Sequence, residues 1–238
     1  MTGAARRIGA VVARRLHEAG ARVVLHYHRS GAEAEALCTQ LNASRAGSCA
    51  TVGGDLLDIA ALGHVVEAAA NAFGRLDGLV NNASSFYATP FGTIGEREWV
   101  DLIGTNLAAP LFLAQAAAPA LRKTQGAIVN ITDIHAERPL KTYVVYSTAK
   151  AGLAGLTRSL ARELAPEVRV NAVAPGPILW PEREVFDDLA RQRIISHTPL
   201  RREGTPDDIA KAVHFLLADA PYVTGEMINV DGGRHIAI

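Results

Sequence analysis

Tyr146 and Lys150 stand four residues apart, the spacing that places two side chains on one face of a helix. An ammonium on that face sits beside the phenol and is expected to lower its pKa from about 10 toward neutrality, which would make the tyrosine a usable general acid. Asp133 lies thirteen residues before Tyr146; a carboxylate there accepts hydrogen bonds and, when protonated, donates one. Near the chain start, Thr2-Gly3-Ala4-Ala5-Arg6-Arg7-Ile8-Gly9 runs directly into an amphipathic stretch. Glycines in that position let the backbone approach a pyrophosphate, and a helix N-terminus supplies N–H donors and a positive dipole end. The same glycines also serve plain turn chemistry. About 20 residues on, where an acid would bind a ribose 2′-hydroxyl, the next apolar run ends His26-Tyr27-His28-Arg29-Ser30 with no carboxylate. Arg29, His28 and the Ser30 hydroxyl are the donors a 2′-phosphate needs; the alternative is an ordinary solvated cluster after a strand.

These residues fall at the ends of regularly spaced elements. Apolar, β-branched runs alternate with Ala- and Leu-rich amphipathic stretches along the whole chain, the pattern of βαβ units in one doubly wound α/β domain with a parallel sheet between two helical layers. Strands are expected at Arg22–Tyr27, Ser48–Val52, Gly78–Asn82, Ala127–Thr132, Val168–Ala174 and Met227–Val230. Helices are expected near Ile8–Ala19, Ala32–Leu41, Ile59–Phe73, Glu96–Leu121, Tyr143–Ala165 and Pro206–Leu217, with Gly20 and Gly74 as C-terminal stops. Asp55-Leu56 and Asn81-Asn82-Ala83-Ser84 then follow strands, at the edge where open α/β sheets bind ligands, although Asp55 also reads as a helix cap and Asn82 as a turn residue. The stretch Pro175 to Thr198 is the irregular one, and a loop of that length reads as a substrate lid carrying Trp180.

Composition narrows the partners. The 238 residues suit a single domain, and 49% hydrophobic with only 5% aromatic residues means an aliphatic core. Lys plus Arg and Asp plus Glu both number 24, which removes the whole-chain electrostatic case for nucleic acid or anionic membrane. Cys38 and Cys49 lie in no metal-ligand spacing and read as free thiols. No secretory h-region and no apolar run of membrane-spanning length is read, so a small-molecule ligand and a cytoplasmic location are expected.

The order of these motifs resembles the short-chain dehydrogenase/reductase family over essentially the whole chain. The Thr-Gly loop, Asp55, Asn81-Asn82-Ala83, Tyr146 with Lys150, Asn171-Ala172-Val173-Ala174-Pro175-Gly176 and Val230-Asp231-Gly232-Gly233 all stand where that family has them. The resemblance implies that Gly3, Arg7, Ile8, Gly9, Tyr27, His28, Arg29, Ser30, Asp55, Leu56, Asn82, Ala83, Ser84, Pro175 and Gly176, with the catalytic pair, hold NADPH. It implies also that Asn106 positions a water for proton relay and that the protein is a homotetramer. The family's catalytic Ser is replaced by Asp133, and this departure, with Arg7 in the glycine loop, the His-Tyr-His-Arg-Ser strand end and Asn81 through Phe86, is similar to the pteridine reductases. By that likeness a pterin stacks on Phe86 near Arg7, Ser84 and Trp180, and Tyr146, hydrogen-bonded to Asp133, protonates a pterin nitrogen as hydride arrives. Two alternatives remain at this level. A carbonyl or 3-oxoacyl reductase would call for Ser at 133, and a non-catalytic NADPH-binding regulator would not need Tyr146 and Lys150.

One feature of the order is incomplete. The glycine loop of such a sheet follows a strand, yet only Met1 precedes Thr2. A central first strand is therefore expected to be missing from this chain, with a natural start roughly 8–12 residues earlier in a Val/Ile-rich segment.

Overall fold

The computed structural model describes residues 1–180 and 186–237. Nine helices and six strands are found among them: α1 (Arg7–Glu18), β1 (Val23–Tyr27), α2 (Gly31–Ser44), β2 (Cys49–Gly53), α3 (Leu62–Asn71), β3 (Gly78–Asn81), α4 (Glu96–Ile103), α5 (Ala109–Thr124), β4 (Ala127–Ile131), α6 (Val144–Glu163), β5 (Arg169–Pro175), α7 (Asp188–Ser196), α8 (Pro206–His214), β6 (Met227–Val230) and α9 (Arg234–Ala237). All pairings between the strands are parallel. Each strand sends successive side chains to opposite faces. Leu79, Ile128 and Val170 accordingly join α3 and α5 in one cluster, whereas Val80, Val129 and Val173 join α1 and α8 in another. The result is the three-layer α/β sandwich that the alternation of patterns predicts.

The sheet is in two pieces, ordered β1-β2 and β3-β4-β5-β6. Among the described residues, Met1 to Ala4 bridge them by backbone hydrogen bonds: Met1 accepts from the His26 N–H (3.0 Å), Ala4 N–H donates to His26 (3.0 Å), and Thr2 N–H donates to Val80 (2.9 Å). The Met1 amino group donates to the Val24 carbonyl at 3.0 Å, and burial lowers its pKa to about 6.

Three expectations need correction. The segment read as an irregular lid contains α7, started by Asp187, whose carboxylate accepts from Ala190 N–H at 2.7 Å. None of its residues is buried, so no apolar period marks it in the sequence. The helix expected over Glu96–Leu121 is broken by a π turn at Gly104–Ala108 and continues to Thr124. That continuous run, Glu96–Thr124, has a mean hydropathy of 1.2 and does meet the length and composition of a membrane span. Its buried Leu102, Leu113, Ala117 and Leu121 face the protein interior, however, so it serves here as a core helix. Residues 181–185 of the expected lid lie outside the described residues.

Candidate active site

The glycine loop closes against the end of β3. The Thr2 hydroxyl accepts from the N–H groups of Asn82 (2.9 Å) and Ala83 (3.1 Å), and Asn82 Nδ2 donates back to the carbonyls of Thr2 and Gly3 at 3.0 and 2.9 Å. Gly3 has φ +58°, and a Cβ there would lie 2.9 Å from Ala83 Cα; at Gly9 it would lie 2.2 Å from the Gly3 carbonyl oxygen. Both positions thus require glycine for this closure itself. Ile8 follows at the first turn of α1, and Arg7, exposed, donates to the carbonyls of Leu179 (3.4 Å) and Trp180 (3.0 Å). Arg7 therefore ties the glycine loop to the segment after β5. There Pro175 is buried, and Gly176 allows close approach to Asp231, since a Cβ would come within 2.5 Å of it.

At the end of β1 the Tyr27 ring covers Gly31 and Gly53, while His28 and Arg29 are exposed and Ser30 caps α2 without using its hydroxyl. His28 Nε2 lies 3.7 Å from Asp55, whose other oxygen accepts from Leu57 N–H, and Leu56 turns inward. The donor set leaves cationic and hydroxyl groups at this strand end with no carboxylate on β1, chemistry that fits a 2′-phosphate. His26, not singled out from sequence, links these parts. It is buried, its Nε2 faces the Gly54 carbonyl at 3.2 Å, and Gly3 N–H points at Nδ1 from 3.5 Å. Burial, reinforced by the Met1 amine, lowers its pKa to about 4 and keeps the ring neutral.

The other half of the site forms beyond β3 and β4. Tyr146 Oη donates to Asp133 Oδ2 at 2.7 Å, and Asp133 Oδ1 accepts from His135 N–H at 2.8 Å, which caps a short 3₁₀ turn. Lys150, buried, donates to the Ile131 carbonyl at 2.9 Å, and its Nζ stands 5.7 Å from the Tyr146 ring centroid. Here the expected pKa direction reverses. Burial first, then the Asp133 charge and hydrogen bond, push the Tyr146 phenol well above 10, with only the Ser84 hydroxyl pulling the other way. The ammonium is bonded to the Ile131 carbonyl and burial lowers its own pKa to about 8. The phenol is thus held as a proton donor rather than poised as a phenolate.

Asn106 sits in the π turn, a feature common at functional sites. Its Nδ2 donates to the carbonyls of Ser85 (3.0 Å) and Leu102 (2.9 Å), and its Oδ1 accepts from the Ser84 hydroxyl at 2.7 Å. The side chain is therefore committed to the segment after β3. Phe86 stacks on Tyr143 at 4.6 Å between centroids and meets Tyr146 edge-on at 4.8 Å. Tyr143 and Asp101, which the motifs do not reveal, belong to this wall. Trp180 packs beside Phe186 at 5.7 Å with the Arg191 guanidinium 5.5 Å above it, forming part of the segment that Arg7 anchors.

A parallel sheet whose carboxyl-end loops carry a glycine turn, a cationic strand end and a buried Tyr-Lys pair defines a nucleotide-dependent oxidoreductase. Residues 3–235 match the family described as enoyl-(acyl carrier protein) reductase, and the chain belongs to this branch of the short-chain dehydrogenases/reductases, enzymes that use NAD(P)H. It is 38% identical to pteridine reductase 1 of Leishmania tarentolae, over 98% of this chain and 94% of that protein. It is 36% identical to the 3-oxoacyl-(acyl-carrier-protein) reductase FabG of Staphylococcus aureus, over 99% and 97% of the two chains. A putative ketoacyl reductase of granaticin polyketide synthesis from Streptomyces violaceoruber is also 36% identical, over 99% and 95%. Overall identity thus leaves the substrate to be argued from the site.

Proposed function

We propose that this oxidoreductase reduces a C=N bond of a dihydropterin, with NADPH as the reductant. The observation that carries the reading is the carboxylate of Asp133 bonded to Tyr146 at 2.7 Å. A reductase of simple ketones wants a hydroxyl donor beside the tyrosine, and an ionised carboxylate only accepts. It is suited instead to the N–H-rich edge of a 2-amino-4-oxopyrimidine or, once protonated, to passing a proton through Tyr146 to a ring nitrogen. The bound nicotinamide supplies the hydride. The chain's own groups do the rest: Gly3, Ile8, Gly9, Asn82 and Ala83 shape the cradle, and Arg29, His28 and Ser30 would hold the 2′-phosphate. Phe86 and Ser84 wall the substrate side, and Tyr146, held protonated by burial and Asp133, delivers the proton. Lys150 completes the charge balance beneath it. The likeness to pteridine reductase 1 supports the same substrate.

The reading includes a cytoplasmic homotetramer. The unbridged thiols of Cys38 and Cys49 and the exposed apolar Trp99, Val100, Leu111 and Val144 support it, and light scattering of the purified enzyme tests it. The second reading is a 3-oxoacyl reductase, favoured by the relatives at 36% identity. NADPH oxidation measured with dihydrobiopterin, with an acetoacetyl thioester and with neither separates them: turnover of the thioester alone would refute the pterin assignment.

A further inference from the structure

A carboxylate outside the motifs gathers the hydroxyls that hold the substrate wall. Asp101 on α4 accepts from Ser85 Oγ at 3.0 Å and from Tyr87 Oη at 2.8 Å, with Thr105 Oγ1 at 3.5 Å on the next turn. Ser85 and Tyr87 flank Phe86 in the irregular segment after β3. Both neighbours of Phe86 are thus held on α4, while its ring packs on Tyr143 and Tyr146. One turn further on, Asn106 fixes the same segment through Ser84 and the Ser85 carbonyl. The segment from Ser84 to Tyr87 is thus bonded at each residue except Phe86, which is placed by the others and by ring packing.

The carboxylate is better suited to this work than a neutral group. It only accepts, so both hydroxyls are constrained to donate to it, and bonds to an ionised acceptor are the stronger kind. The Tyr87 phenol responds accordingly: burial first, then Asp101, raise its pKa to about 12, so it stays a donor throughout the working range. Asp101 does not touch Tyr146, Asp133 or the glycine loop in any bond found here. We propose that Asp101 is a positioning residue for the reaction, setting the ring of Phe86 against Tyr146 through Ser85 and Tyr87 and thereby fixing where a flat heteroaromatic substrate lies. The proposal rests on Tyr146 as the proton donor and on Phe86 as the substrate wall.

The test has a kinetic and a spectroscopic arm. Asp101→Ala should lower kcat/KM for whichever substrate the wild type reduces by roughly 10- to 100-fold, the scale of misplacing a reacting geometry by an ångström, while NADPH affinity is unchanged. Asp101→Asn keeps an acceptor for Ser85 and an N–H for the Tyr87 oxygen, and should recover most of the activity. Ser85→Ala and Tyr87→Phe each remove one tether and should have smaller effects that do not add to Asp101→Ala. In protein labelled with 4-fluorophenylalanine, the resonance assigned to Phe86 by Phe86→Leu should shift and broaden in Asp101→Ala and return in Asp101→Asn. An unmoved Phe86 resonance, or an equal loss of NADPH binding in Asp101→Ala, would overturn the proposal. If the wild type reduces neither pterin nor thioester, the function proposed above fails, and the fluorine spectrum still decides the role of Asp101.

Discussion

Replacing Asp133 by serine removes one interaction and keeps another, which makes it a clean probe of the carboxylate. Serine is a good cap residue, so the acceptor for His135 N–H survives and the short turn that begins at residue 133 should hold. What is lost is the acceptor 2.7 Å from Tyr146 Oη. Hydrogen bonds to charged groups contribute about 1.5–3 kcal/mol, so a proton donor that depends on this bond should lose about 10- to 150-fold in pterin kcat/KM. Two pKa values should move. Tyr146 is raised by burial and then by Asp133, so without the carboxylate its phenol falls and the alkaline limb of the rate profile shifts to lower pH. Lys150 is lowered by burial against the opposing pull of Asp133 and should fall further below about 8. Cofactor affinity should be unaffected, because no group of the glycine loop or of the β1 end bonds to Asp133. Steady-state kinetics from pH 6 to 10, with NADPH fluorescence titration, read all three. An unchanged pterin kcat/KM and an unmoved alkaline limb would refute the role given to the carboxylate.

Tyr146→Phe should abolish turnover while NADPH still binds, as measured by cofactor fluorescence; retained turnover would remove Tyr146 as proton donor. Arg29→Asp should weaken NADPH far more than NADH, by roughly 10- to 150-fold from the lost charged contact alone, and equal losses for the two cofactors would place the 2′-phosphate elsewhere. His26 titrates near 4 in the fold against 6.5 when unfolded. The unfolded chain therefore takes up the proton first, so the contribution of His26 is intact above pH 6.5 and falls by about 3 kcal/mol as pH drops toward 4. Urea midpoints at pH 7 and pH 5 test this, and a midpoint that did not fall would contradict it.

Much of the architecture is legible from one dimension, because hydrophobic period is a local property. Every strand expected from the apolar runs is found within one residue of its place, and the longer helices begin where amphipathic period begins. α7 escaped because it buries nothing and so has no period to read. Of the site, Tyr146, Lys150, Asp133, the glycine loop and the β1 end were visible as residue types at short spacing. The direction of the Tyr146 pKa was not, since spacing places the ammonium on the correct helical face but says nothing of burial, and burial outweighs it here. His26 and Asp101 were also beyond reach. Each acts on partners brought together by the sheet and the α4 turn, His26 on Gly3 and Gly54, Asp101 on Ser85 and Tyr87. The sequence alone determined which groups could do chemistry and along which elements they lie; only the tertiary structure decided their solvent exposure and long-range partners, because desolvation and hydrogen bonding across the chain depend on three-dimensional neighbours.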